Sequence, residues 1–173
     1  MASQRDAVDR IVREWNTVRP DLDVSPIEIV GRISRLSRLI DRELAINFAE
    51  HGIEDWMYDV LATLRRIGEP HELTPGELVR QTMVTTGAIT NRIDRLEQRG
   101  LVERVSSATD RRSINIHLTP DGLALVEHVV ASHLAAEQRI IGSLSQRQRS
   151  ALATALRELA LDLRDDDTPL RKP

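Results

Sequence analysis

Residues 73–119 read LTPGELVRQTMVTTGAITNRIDRLEQRGLVERVSSATDRRSINIHLT. Their pattern predicts two short helices joined by a tight connection, and then two extended runs at 101–105 and 114–118. The residues between these runs favour a turn, and they include Arg111 and Arg112. This order of elements is the winged helix-turn-helix arrangement, which points to duplex DNA as the partner.

The second helix of this stretch has two distinct faces. Ile89, Ile93 and Leu96 recur at helical spacing and are expected to face a core. Asn91 and Arg95 then project to the opposite side. Because both side chains can hydrogen-bond to base edges in a major groove, we expect Asn91 and Arg95 to approach bases.

Other residues of the stretch suit the DNA backbone and the minor groove. Thr85 and Thr86 are expected to precede the second helix as caps. Their hydroxyls and that of Thr90, together with free amide groups at a positive helix end, can hold phosphates. Arg111 and Arg112 lie where a wing tip could enter a minor groove.

The positive charge of the chain is concentrated in this region. Between Val79 and Arg112 there are seven Arg and four acidic residues, in a chain whose formal net charge is -3. A local cationic surface favours a phosphate backbone as partner. An alternative stays open at this point, since winged helices also mediate protein contacts and exposed Arg side chains are usually only solvated.

The composition excludes several other classes of function. The chain has 173 residues, 40% of them apolar, and no Cys, which rules out disulfides and thiolate chemistry. The five His include no pair at helical i, i+4 spacing, and there is no Gly-rich phosphate loop and no GxSxG motif. We therefore expect no enzyme, no catalytic or metal site and no cofactor. Without a long apolar run or a leader-like start, the cytoplasm is the expected location and no membrane partner is expected.

Helices are predicted on both sides of the winged unit. Their expected ranges are about 4–18, 25–51, 54–67, 119–141 and 146–163. The predicted fold is mainly α, with a small β-hairpin wing. Because the terminal helices have little of their own chain to pack on, they are expected to form the dimerisation region of a homodimer. The expected division is 1–53 for N-terminal helices, ligand pocket and dimerisation, 54–119 for the winged helix-turn-helix, and 120–173 for C-terminal dimerisation helices and a polar tail.

At this level the residues match a family. The segments TPGEL, TTGAITNRIDRLEQRGLVER and DRRSINIHLTPDG resemble the MarR family of bacterial homodimeric transcriptional regulators, over nearly the whole chain. The DRR wing followed by LT at the next helix start is the most specific piece. The segments RPDLD, GRISRLSRLIDREL and YDVLATLRRIG further resemble a subgroup that answers urate and related small anions. That resemblance implies repression of a divergent promoter and release from a pseudo-palindromic operator by a ligand.

The subgroup resemblance also implies a ligand site formed by Trp15, Asp59, Arg66 and Arg92. Helical spacing agrees in part, because Asp59 and Arg66 share one face of their helix. Arg92 lies about 70° from the centre of the apolar face of its own helix and so leans inward. Two Arg side chains suit a small planar anion, with a Trp ring as a stacking wall. Trp56 adds a second candidate for that wall.

Several alternatives stay open from the sequence. The effector could be urate, xanthine, citrate, trans-aconitate or a phenolic compound. Trp15 could be a core anchor, Asp59 could form a structural ion pair with Arg66 or Arg92, and Arg92 could contact a phosphate. The chain could activate rather than repress.

Overall fold

The computed structural model describes residues 5–82, 86–106 and 113–163, without the side chain of Thr86. The chain divides into two compact units, Met1–Glu43 and Leu44–Pro173. In order, the helices and strands of the described ranges are α1 Ala7–Val18, α2 Pro26–Glu50, α3 Asp55–Arg66, β1 Glu72–Leu73, α4 Pro75–Gln81, α5 Thr86–Gln98, β2 Val102–Ser106, β3 Ile114–Leu118, α6 Pro120–Ile140 and α7 Gln146–Asp162. Within these ranges, no helix is long and apolar enough to cross a membrane.

The first unit contains α1 and most of α2. The Asp6 carboxylate accepts hydrogen bonds from the amides of Val8 and Asp9, and the Asp9 carboxylate accepts one from the Asp6 amide. The sequence pattern predicted that α1 begins near residue 4. The capping box explains why it begins at Ala7 instead. Arg32 of α2 donates to the carboxylates of Asp6 and Asp9 at 2.8 Å and 2.6 Å, which fixes α1 against α2.

The second unit is built on a small antiparallel sheet. β2 and β3 form the predicted hairpin, with Val102 opposite Leu118 and Ser106 opposite Ile114. The sequence pattern did not predict β1, which pairs with the other edge of β3 and gives the order β1-β3-β2. With only two residues, β1 has no alternating pattern that could be recognised.

One hydrophobic core joins the helices of the second unit to this sheet. The completely or almost completely buried side chains are Met57, Val60, Leu61 and Leu64 of α3, Leu78 of α4, Ile89, Ile93 and Leu96 of α5, Val102 and Ile116 of the sheet, and Val126 and Val129 of α6. The predicted apolar face of the second helix is thus confirmed. The fold is mainly helical with a winged helix-turn-helix, as the sequence predicted.

Side-chain caps account for the starts of α4, α6 and α7. Thr74 and Ser145 each form a capping box at the start of α4 and α7. Thr119 accepts from the Gly122 amide at the start of α6. Thr86 is the first residue of α5 and does not precede it, so the expected start of this helix is corrected by one residue.

Gly122 lies where α6 crosses the end of the sheet. A Cβ atom at this position would lie 2.0 Å from the carbonyl oxygen of Leu101 and 2.9 Å from Cδ1 of Leu118. The Leu101 carbonyl is fixed because it accepts from the Thr119 amide at 3.2 Å. Position 122 in the first turn of α6 therefore has no room for a side chain.

We expect Gly122→Ala to lower the free energy of unfolding by at least about 2 kcal/mol, because backbone atoms have to move to admit the methyl group. Gly87→Ala is the matched control, since a Cβ at Gly87 meets nothing within 4 Å. The control should be neutral or stabilise by up to about 1 kcal/mol. Urea unfolding followed by circular dichroism measures both variants. Equal stability of the two variants would contradict the close approach.

Candidate nucleic-acid interface and adjoining polar site

The helix α5 presents one apolar face and two different polar sides. Asn91 and Thr90 are exposed on the side away from the core. Thr85, Arg111 and Arg112 lie outside the described residues, as does the side chain of Thr86. The proposed backbone and wing contacts at those four positions therefore remain predictions.

Arg95 is held by residues that the sequence pattern did not single out as its partners. Its side chain is 51% exposed, and its Nη2 donates to Glu54 Oε1 at 2.6 Å. Its guanidinium also lies over the Trp56 ring, 4.5 Å from the centroid. Glu54 immediately precedes α3, and Trp56 is in the first turn of that helix. Arg95 is thus solvent-exposed, but it is engaged with the start of α3 in this structure.

Arg92 lies one turn before Arg95 and is directed further inward. Its side chain is 25% exposed, half the value for Arg95, in agreement with the helical spacing. Its Nη1 lies 3.9 Å from Asp59 Oδ2, and its guanidinium lies 5.8 Å from the Trp56 centroid. The structure therefore brings Asp59, Arg92 and Trp56 together between α3 and α5.

The Asp59 carboxyl has an unusual acidity. Burial raises its pKa from the ordinary 3.8 to about 6, while Arg92 and Arg66 counteract the rise and Asp55 adds to it. The two cations thus do not fully offset the loss of hydration. A carboxyl with a pKa near neutrality beside a cation is typical of functional sites.

Arg66 acts on Asp59 only through its charge. Its own hydrogen bonds go to the side-chain oxygen of Gln81, at 2.7 Å, and to the Gln81 carbonyl, at 3.3 Å. These bonds connect the end of α3 to the end of α4. Thr63, between Asp59 and Arg66 on the same face, is buried. The sequence did not indicate Gln81, because its contact with Arg66 depends on how the two helices cross.

The two tryptophans belong to different units. Trp15 is on α1 in the first unit and is exposed. Trp56 is half-buried in the second unit, between Arg92 and Arg95. Trp56 is therefore the tryptophan that the structure brings to Asp59 and Arg92, and the role of Trp15 remains a prediction.

A third set of charges connects α5 to the wing. Arg104 on β2 donates to Asp94 at 2.5 Å and also to Glu97. Both acids are on α5, where their side chains are partly exposed. Arg104 is thus paired with two of the four acidic residues counted between Val79 and Arg112. These pairs connect β2 to α5.

Known proteins share this arrangement of elements. Residues 51–113 match a sequence model described as the MarR family. The HTH-type transcriptional regulator PecS of Dickeya dadantii is 41% identical over 149 residues, which cover 86% of this chain and 90% of that protein. This relative is a transcriptional regulator.

Solved structures agree with the sequence comparison. A mutant MarR from E. coli complexed with operator DNA is 25% identical, with a TM-score of 0.69, and the match covers 84% of this chain and 96% of that one. Bordetella bronchiseptica BpsR, whose DNA binding is regulated by 6-hydroxynicotinic acid, is also 25% identical, with a TM-score of 0.68 over 76% of this chain and 92% of that one. Given these likenesses and the extent of the match to PecS, the chain belongs to the MarR family of DNA-binding transcriptional regulators.

Proposed function

We propose that this regulator is a homodimeric repressor that leaves its operator when a small planar anion such as urate binds between α3 and α5. The observation that carries the proposal is the Asp59–Arg92 pair on the inner side of α5, beside the Trp56 ring. A ligand at this position would bear directly on the helix that reads DNA. The regulation of BpsR by 6-hydroxynicotinic acid, a small aromatic acid, supports this class of effector.

Exposed apolar surface on the terminal helices supports the homodimer. The helix α7 has no buried residue, although Leu152, Leu156 and Leu159 follow one another at helical spacing. Soluble proteins rarely leave such a row in water. A second copy of the chain is the simplest partner, because two copies also suit a pseudo-palindromic operator.

On DNA, each α5 enters a major groove, and the two half-sites lie about one helical turn apart. Thr85, Thr86 and Thr90 contact phosphates, while Asn91 and Arg95 approach bases. Arg111 and Arg112 complete the interface by entering the minor groove. Arg95 can take part only after it exchanges Glu54 for a base.

Release requires that the effector prefer the conformation that does not bind DNA. An anion that pairs with Arg92 replaces Asp59 as its partner, and the Asp59 carboxylate then accepts a hydrogen bond from a ring N–H of the anion. This exchange changes the contacts between α3 and α5. Arg66 supplies a second positive charge at the site, and Trp15 or Trp56 supplies a stacking face. A tricarboxylate or a phenolic compound remains an alternative effector, because the same two cations would accept either anion.

We expect Arg111→Ala and Arg112→Ala to weaken operator binding, because each removes a cation from the wing. The slope of log affinity against log salt concentration should fall by up to about 1 in each variant if the lost contact is a phosphate. Fluorescence anisotropy with a labelled operator at several salt concentrations measures both quantities. Arg10→Ala, which removes an exposed arginine from α1, is the charge-matched control. If the wing variants behave as the control does, the wing takes no part in binding.

Asn91→Ala should reduce the affinity for the operator by about 1 to 3 kcal/mol, with a smaller loss on unrelated DNA, because a base contact is specific for sequence. Competition gel shifts with the two DNAs give the comparison. Gln98→Ala is the control, since it removes an exposed amide from the last residue of the same helix. Equal losses on the two DNAs would instead assign Asn91 to the backbone.

Asp59→Ala and Arg66→Ala should each raise the urate concentration needed for operator release by about tenfold or more, since a hydrogen bond to a charged group contributes about 1.5 to 3 kcal/mol. Urate titration of the preformed operator complex, together with quenching of tryptophan emission, measures the effect. Arg65→Ala is the matched control, because Arg65 pairs with Glu127 on α6 and not with Asp59. Size-exclusion chromatography checks that every variant keeps the same oligomeric state.

In the same titration, Arg92→Ala should abolish release while costing less operator affinity than Arg95→Ala. The reason is that Arg92 faces α3 and Arg95 is the more exposed of the two. An Arg92→Ala protein that binds urate normally but loses the operator would identify Arg92 as a DNA contact, and the effector site would then lie elsewhere.

A further inference from the structure

The Trp56 ring contacts two arginines, Arg92 and Arg95, that have different proposed roles. Arg92 and Arg95 extend from neighbouring turns of α5, and their guanidinium groups lie 5.8 Å and 4.5 Å from the centre of the Trp56 ring. A guanidinium over an indole face is attracted by the ring quadrupole. The closer contact belongs to Arg95, the residue proposed to approach bases.

Glu54 completes the surroundings of Arg95. Its Oε1 accepts from Arg95 Nη2 at 2.6 Å. A hydrogen bond from the Trp56 side chain is the largest cause that lowers the pKa of the Glu54 carboxyl, and the Arg95 bond lowers it further. The Glu54 carboxylate therefore interacts with both the indole and the guanidinium. Glu54 precedes α3 without a side-chain bond to the helix start, so capping of α3 does not account for its carboxylate.

The contact of Arg95 with Glu54 and Trp56 orients the Arg95 side chain, but it is weak enough for Arg95 to leave it. Both side chains of the Glu54–Arg95 pair are about half exposed, at 54% and 51%. Exposed ion pairs of this kind contribute about 0 to 1 kcal/mol. A guanine edge accepts two parallel N–H groups from one guanidinium, which is a stronger and more specific contact. DNA can therefore compete successfully for Arg95.

We infer that Glu54 and Trp56 are positioning residues that hold the Arg95 guanidinium at the start of α3 and compete with operator DNA for it. This inference rests on the proposed base contact of Arg95. The contact of Arg95 with Glu54 and Trp56 inside the protein then limits the affinity for the operator. Because Arg92 shares the ring and lies 3.9 Å from Asp59, the same indole also joins this contact to the effector site.

A double-mutant cycle on Glu54 and Arg95 tests the inference. Glu54→Gln keeps the size of the side chain but removes its charge, so Arg95 is freed for the operator. We expect the dissociation constant for the operator to fall about two- to fivefold, the range set by an exposed ion pair. In the Arg95→Ala background the same substitution should have no effect. Glu127→Gln, which breaks the exposed pair with Arg65, is the control and should leave affinity unchanged.

The cycle separates the failure of this inference from that of the proposed base contact. If Arg95→Ala weakens operator binding but Glu54→Gln does not strengthen it, the competition is absent and the base contact stands. An equal gain from Glu54→Gln in both backgrounds would mean a general effect of charge on DNA, which also overturns the inference. If Arg95→Ala leaves operator binding intact, both the base contact and the inference are wrong.

Fluorescence gives a readout that a purely structural role of Glu54 would not change. The sequence has two tryptophans, so a Trp15→Phe protein reports on Trp56 alone. Operator binding should change the emission of this protein as the Arg95 guanidinium leaves the ring. The change should be absent from the Trp15→Phe, Arg95→Ala double variant, and its persistence there would overturn the inference.

Discussion

The apolar contact between α3 and α5 is the constraint on which the rest of the DNA-binding unit depends. Ile89, Ile93 and Leu96 are completely or almost completely buried in one core with Met57 and Leu61. Burial of each such side chain contributes about 1.5 to 3 kcal/mol, so α5 cannot leave this surface without unfolding the unit. The contact therefore decides which sides of α5 remain available to DNA and which face the charges of α3.

The charged residue Asp59, beside the apolar contact of α3 with α5, does not favour the stability of the fold. Since the folded-state pKa of its carboxyl, about 6, is above the ordinary value, the folded protein binds a proton that the unfolded chain releases. Stability thus falls as pH rises from about 4 to about 6, and the full cost remains at neutral pH. Arg92 and Arg66 reduce this cost without removing it. Asp59 therefore lowers the stability of the fold at neutral pH although it faces two cations.

Much of this fold could be predicted from local patterns, whereas the contacts of the site could not. The spacing of Ile89, Ile93 and Leu96 determines a helix face, and a cap such as Ser145 determines a helix start, because both act within a few residues. The inward direction of Arg92 follows from the same geometry. By contrast, Glu54 meets Arg95 from 41 residues away. Nothing in the periodicity of either segment indicates such a pairing, because it depends on how α3 crosses α5.

The difference in strength between these contacts determines where regulation can act. A coupling between effector and DNA is typically 1 to 3 kcal/mol, which is less than the apolar contacts of α5 contribute together. An effector therefore cannot work by detaching α5 from the core. It can work by exchanging partners among half-exposed charges, since each such pair contributes at most about 1 kcal/mol. The pairs that contact α5 from the α3 side, Asp59–Arg92 and Glu54–Arg95, meet on one indole ring. If a ligand changes the first pair, as proposed, the surroundings of the second pair change with it, because both guanidinium groups lie over the same ring. The core can stay intact during such a change, since neither pair is part of it.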